Sequence, residues 1–143
     1  MIRAARDLGA PIIIQTSPGT ARYVGMRNFV AVCRSMASDE IVDVALHLDH
    51  ATNLTDIRDA IEAGYSSVMF DGSQLPFTRN VATSRRVIEY ARDHGASVET
   101  EIGTIGGTEE GIRNKVGVYT QPEEAVRLLQ EVDTDALAVS IGR

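Results

Sequence analysis

The stretch Val42–Ser73 reads VDVALHLDHATNLTDIRDAIEAGYSSVMFDGS. It opens on an apolar run, Val42-Asp43-Val44-Ala45-Leu46-His47-Leu48, and closes on another, Ser67-Val68-Met69-Phe70; both have the length and composition of buried strands. Between them Asn53 or Thr52 caps a helix with Leu54, Ile57 and Ile61 on one face. Gly64 stands where a left-handed C-terminal residue is wanted. Two strands joined through a helix run parallel.

The same alternation extends outward in both directions. Pro11–Gln15, Ala96–Glu101 and Ala136–Ser140 read as three more strands. One helix covers Met26 to Met36, and a second follows Phe77 and ends near Gly95, with Val81, Val87, Ile88 and Tyr90 apolar. A third opens at Gln121-Pro122-Glu123-Glu124, where proline in the first turn and acids beside the positive end of the helix dipole are both favourable. Its apolar face is Ala125, Val126, Leu128 and Leu129. Parallel strands need helical cover, which leaves a doubly wound open sheet or a (β/α)8 barrel. About five units fall short of a full barrel, which takes about 250 residues, so a barrel here is a partial one. Residues up to Leu8 resemble a helix whose preceding strand is missing.

With 143 residues, 43% of them apolar, the chain supports one domain. Fourteen Lys and Arg against 20 Asp and Glu give a net charge of −6, which excludes a broad basic footprint for nucleic acid or an anionic membrane. No apolar run approaches the roughly 20 residues that span a bilayer. The N-terminus also lacks the apolar stretch of a secretory signal. The expectation is a soluble, cytoplasmic protein with neither nucleic-acid nor membrane partners. Cys33, the single cysteine, reads as a small buried hydrophobe.

In either parallel architecture the ligand site lies at the carboxyl ends of the strands. The first strand runs into Thr16-Ser17-Pro18-Gly19-Thr20, the second into Asp49-His50, the third into Asp71-Gly72-Ser73, and the fourth carries Glu99 and Glu101 toward Gly103. Singly, each has a plain reading as a turn or a hydrogen-bonded core residue. Alternation puts His47 and Asp49 on one side and Leu48 and His50 on the other, unless the chain turns at Asp49. Glu99 and Glu101 share a side in a regular strand. A buried pair of like charges needs a proton or a cation between them, which points to a cation nearby. The glycine-rich segment Gly103–Gly111 suits a mobile lid or a close approach to an anion. It fits neither a Walker loop nor a dinucleotide fingerprint. Ser17-Pro18-Gly19 reads as a turn or a phosphate cradle.

Taken in order, these rims resemble the class II, metal-dependent ketose-bisphosphate aldolases, in the tagatose- and fructose-bisphosphate branch. The resemblance spans nearly the whole chain. Its anchors are Ala10–Ile14, Ser17-Pro18-Gly19-Thr20, Leu46-His47-Leu48-Asp49-His50, Ser67–Ser73 with Leu75-Pro76-Phe77, Val98–Gly103 leading to Gly106-Gly107-Thr108-Glu109, Tyr119-Thr120 with Pro122, and Asp135–Gly142.

The resemblance implies a (β/α)8 barrel of which residues 1–143 form the central part of a single domain, without the first and last strands. It implies a lyase of carbohydrate metabolism and glycolysis, acting on a phosphorylated sugar: a ketose 1,6-bisphosphate, tagatose or fructose, cleaved reversibly to dihydroxyacetone phosphate and glyceraldehyde 3-phosphate. His50 is then a ligand of the catalytic zinc, which chelates and steadies the enediolate. Asp49 is the acid/base at the C4 hydroxyl, and Asp71 and Glu101 match positions that bind a second divalent or monovalent cation. Glu109 matches the loop glutamate that exchanges the proton on the dihydroxyacetone-phosphate carbon, and Ser17 falls where the family contacts substrate near its phosphate. The complete protein is expected to be a homo-oligomer.

The departures are specific. The family's two later zinc histidines would fall beyond Arg143, so one of three imidazole ligands is present. Arg143 follows Ile141-Gly142 where Thr or Ser is usual, and Gln74 stands where histidine is common. Two further readings are a non-catalytic remnant or assembly subunit of that family, and an unrelated α/β phosphate-binding domain.

Overall fold

A computed structural model describes residues 1–104, 107–109, 112–114 and 119–142, with backbone alone for 107–109 and 112–114. The first half runs α1 (Ile2–Leu8), β1 (Ile12–Thr16), α2 (Pro18–Val24), α3 (Met26–Glu40), β2 (Val44–Ala51), α4 (Leu54–Ala63) and β3 (Ser67–Phe70). It continues through α5 (Phe77–Asp93), β4 (Ser97–Ile102), the short strands β5 (Gly107–Glu109) and β6 (Ile112–Asn114), α6 (Pro122–Glu131) and β7 (Ala136–Val139).

The main sheet is parallel, with strand order β1-β2-β3-β4-β7, so each strand lies beside the next one in the chain. That order decides between the two architectures. Crossovers are right-handed, so an order that never reverses stacks every helix on the same side. A doubly wound sheet requires a reversal. The five strands curl as half of a (β/α)8 barrel, with helices outside and an uncovered concave face among the described residues.

The convex face is the core. Leu46, Leu48, Val68, Phe70, Val98 and Ile102 are each at most 8% exposed and pack on Ile57, Ala60 and Ile61 of α4, Val81, Val87, Ile88 and Ala91 of α5, and Leu128 of α6. Burying each large apolar side chain contributes about 1.5–3 kcal/mol. Cys33 is buried in the same cluster, as a small hydrophobe would be. Local signals agree with the packing: Asn53 caps α4 by accepting the Asp56 N–H at 2.9 Å, and Gly64 ends it at φ 108°. A Cβ at Gly64 would meet the Arg34 guanidinium at 2.9 Å.

The concave face differs. Parallel register aligns Gln15, His47, Ser67 and Ser97 across four strands, and aligns Met69, Glu99 and Ala136 above them. Ile13 on this face is 62% exposed.

Three details depart from the sequence expectation. The segment Ser17-Pro18-Gly19 is the start of helix α2, not a turn, with Ser17 Oγ accepting the Thr20 N–H at 3.3 Å. Strand β2 continues to Ala51 rather than ending at Leu48. Within the glycine-rich segment, β5 and β6 pair as an antiparallel ribbon. No described helix is long and apolar enough to cross a membrane.

Candidate metal centre and acid–base site

The site is built around an irregularity in β2. Leu48 pairs with Val68 and Ala51 with Phe70, so β2 spends one residue more than β3 over the same span. This is a bulge, and His50 takes its strain at φ 52°. Left-handed backbone is uncommon outside glycine, though histidine tolerates it better than branched residues do. In a regular strand His50 would follow Leu48 to the helical side. The extra residue turns it back, so Asp49 and His50 both serve the concave mouth.

There His50 meets acids from the next two strands. Its Nδ1 lies 3.4 Å from Asp71 Oδ2 and 3.6 Å from Glu101 Oε2. One donor atom from each of the three falls within 4.8 Å of the others. Asp71 and Glu101 are both at most 9% exposed. The supports are as specific as the donors. Asp71 Oδ1 accepts the Ser73 N–H at 3.0 Å and its hydroxyl at 2.6 Å. Asn80, 1% exposed, donates from Nδ2 to the Glu101 carbonyl at 2.8 Å, and its Oδ1 accepts the Ser84 hydroxyl at 3.1 Å. Gly72 makes room for this, because a Cβ there would sit 2.2 Å from Asn80 Oδ1.

Electrostatics follow from the crowding. The hydrogen bond to Asp71, aided by the charges of Asp49 and Glu101, pushes the His50 imidazole up to about 9 against the opposing effect of burial. Burial alone would raise Asp71, but hydrogen bonds from His50 and Ser73 overcome it and hold the carboxyl below its ordinary value. Two buried carboxylates around one imidazole hold a positive charge between them, whether a proton or a metal ion.

The donor set fits a metal ion. Ligands bound at about 2.0–2.2 Å with tetrahedral angles stand roughly 3.4 Å apart, close to the 3.4 and 3.6 Å found here. Carboxylate and imidazole donors suit zinc and other divalent ions.

Below this cluster lies a second group. His47, 4% exposed, has Nδ1 2.7 Å from Ser67 Oγ and Nε2 3.6 Å from Glu99 Oε2 and 4.0 Å from Asp49 Oδ1. Glu99 and Glu101 each face a different histidine, His47 and His50 respectively. Asp49, with a 30% exposed side chain, stands between the two groups.

Of the sequence candidates, Asp49, His50, Asp71 and Glu101 come together at the carboxyl ends of β2, β3 and β4. Asp71 and Glu101 each bring one donor atom within 4.8 Å of His50. Ser17 lies at the end of β1 as the cap of α2. Glu109 is in β5, and its side chain lies outside the described residues. His47, Ser67 and Asn80 carry no functional role in the sequence reading, and Ser73 enters it only as part of the rim Asp71-Gly72-Ser73. For Asn80 a signal existed: it lies on the buried stripe of α5 with Ser84, Val87, Ile88 and Ala91, where a polar side chain needs a partner.

Comparison with known proteins adds the following. The family model described as fructose-bisphosphate aldolase class II matches residues 1–143. A fructose-bisphosphate aldolase of Staphylococcus aureus (strain Mu50) is 39% identical over 145 residues, covering 99% of this chain and 51% of that protein. The D-tagatose-1,6-bisphosphate aldolase subunit GatY of Klebsiella oxytoca is 40% identical over 144 residues, with the same coverage of 99% and 51%. Among solved structures, the YdjI aldolase of Escherichia coli K12 superposes with a TM-score of 0.80 at 28% identity, covering 98% of this chain and 48% of that one. The chain spans about half the length of the curated relatives it matches.

Proposed function

This chain belongs to the class II fructose-bisphosphate aldolase family, and from that premise we propose that it is the central part of a barrel that reversibly cleaves a ketose 1,6-bisphosphate between C3 and C4. The products are dihydroxyacetone phosphate and glyceraldehyde 3-phosphate. The observation that carries this reading is the convergence of His50, Asp71 and Glu101 within 4.8 Å beside Asp49 at the mouth of the half-barrel.

His50, Asp71 and Glu101 would hold a divalent cation, zinc by family resemblance, which supplies positive charge for the electron pair that C3 keeps when the bond breaks. The chain's own groups do the rest. Asp49, partly open to the concave face, accepts the C4 hydroxyl proton during cleavage and returns it during condensation. The bonding pair of C3–C4 moves onto the ketose fragment as C4 becomes the aldehyde. Glu109 delivers the proton that C3 then takes up, and Ser17 contacts the phosphate end. Ser73 and Asn80 orient the donors, the role that outer partners play at metal sites.

A second reading has an observation of its own: the described cluster offers one imidazole beside two carboxylates, whereas the family resemblance implies three histidines on the catalytic zinc. On that reading the chain is a non-catalytic remnant or an assembly subunit. Release of glyceraldehyde 3-phosphate from fructose and tagatose 1,6-bisphosphates, abolished by chelator and restored by zinc, supports the first reading. Stoichiometric zinc binding with no cleavage, in a protein whose reading frame carries no further histidine segments, supports the second. Cleavage indifferent to chelator contradicts both. Continuing the reading frame past both ends is the complementary check, since the first reading expects two further histidine segments downstream.

A further inference from the structure

His47 is a buried imidazole that the proposed reaction leaves unused. Its ring is 4% exposed and fixed at one end, where Nδ1 and Ser67 Oγ lie 2.7 Å apart across directly paired positions of β2 and β3. Its other end makes no hydrogen bond among the described residues. Yet Nε2 lies between two acceptors, Glu99 Oε2 at 3.6 Å and Asp49 Oδ1 at 4.0 Å.

The surroundings favour one position for the hydrogen. A lone pair on Nε2 aimed at two carboxylates is repulsive, whereas an N–H there is attractive to both. A serine hydroxyl can donate as readily as accept, so Ser67 Oγ–H satisfies the bare Nδ1. Burial pushes the imidazole below its ordinary value, against the pull of Glu99 and Asp49, which favours the neutral ring. A merely structural core histidine has both nitrogens satisfied or its free edge against apolar groups. Here the free edge is a buried donor, and its two acceptors are side chains about 30% exposed on the concave face and able to shift. Closing 3.6 Å to a normal hydrogen bond takes roughly 0.6–0.7 Å of movement.

We propose that His47 is a positioning residue: held by Ser67 with its proton on Nε2, it presents one N–H to the Asp49 and Glu99 carboxylates and fixes the direction in which Asp49 faces the mouth. The functional weight of this rests on Asp49 being the acid/base group; the geometric part does not. Without the shared proton, Asp49 and Glu99 are adjacent like charges that push apart and swing Asp49 away from its working direction.

The test needs no catalysis. In the full chain labelled with nitrogen-15 at histidine, only His47, His50 and His94 give ring signals, and His47→Gln assigns the first. The expected result is a neutral His47 with the proton on Nε2 at pH 7, shifting to a mixture of tautomers in Ser67→Ala. A proton on Nδ1 in the unaltered chain overturns the proposal. With carbon-13 in the Asp and Glu carboxyls, His47→Asn keeps the Ser67 contact but falls short of the carboxylates, and is expected to move the Asp49 and Glu99 signals and not those of Asp71 and Glu101. His47→Gln, whose amide N–H reaches the place of Nε2, is expected to restore them. Unmoved Asp49 and Glu99 signals in His47→Asn, or equal movement of all four, overturn the proposal. Absence of aldol cleavage alters none of these signals, so a failure of the functional reading is seen separately.

Discussion

The two faces of the five-stranded sheet carry opposite chemistry on the same strands. On the convex side Leu46, Leu48, Val68, Phe70 and Val98 are nearly inaccessible and bury against helices, with Thr16 and Thr100 buried polar members of the same face. On the concave side Gln15, His47, Asp49, Asp71, Glu99 and Glu101 line the arc, together with the apolar Ile13, Ala45, Met69, Ala136 and Ala138. Alternation along a strand separates the two by one residue. One face therefore folds the chain while the other can accumulate charge that would be intolerable in a core.

Substitutions on the two faces should break different things. Phe70→Ala on the convex face is expected to cost about 3–5 kcal/mol of stability, read as a lowered urea midpoint. In the complete protein, Asp49→Asn, a near isostere on the concave face, is expected to reduce the proposed cleavage by about 10²–10⁴-fold. Its urea midpoint should correspond to a change of no more than about 0.5 kcal/mol. If Asp49→Asn unfolds the chain, the division between the faces is wrong. Asp71→Asn or Glu101→Gln should weaken divalent-ion binding by at least the about 10–100-fold that follows loss of an outer-shell partner, measured by calorimetry.

Acidity sharpens the same comparison. The His50 imidazole is raised from 6.5 to about 9 by Asp71, with Asp49 and Glu101. A raised folded-state value contributes stability that is fully present below the unfolded value and lost as pH rises through the folded one. Metal-free chain should therefore lose stability between pH 6.5 and 9, more steeply than His50→Gln, as followed by urea midpoints in chelator. Over the same interval divalent-ion binding should strengthen, because the ion replaces the proton on His50. Stability that increases across this interval would contradict the pairing. The smallest effect belongs to the convex side: Asn53→Ala removes the α4 cap and should cost about 1 kcal/mol without touching metal affinity.

Much of this was legible in the sequence. The runs around Leu46 and Val68 mark strands buried on the helical side, and Asn53 and Gly64 bracket α4 through local chemistry. The acids and imidazole at the strand ends were recognisable by type and position. Their meeting on one rim was expected too; the turn that returns His50 to the side of Asp49 was not. Strict alternation sends His50 away from Asp49, and nothing in the residue type announces that it adopts φ 52° in a bulge. Helix α2 was also hidden, since Pro18-Gly19 reads as a turn unless Ser17 is recognised as its cap. Gly72 likewise owes its role to Asn80, a residue on another element, and tertiary proximity of that kind leaves no trace in local pattern.

The central claim is that His50, Asp71 and Glu101 form one cation site. A cobalt(II) titration of the full chain, followed by visible absorption and by competition with zinc, tests it most directly. The account predicts one ion per chain, displaced by zinc, with the spectrum lost in His50→Ala and altered in Asp71→Asn and Glu101→Gln. Absence of stoichiometric binding, or a spectrum unchanged by all three substitutions, would contradict it.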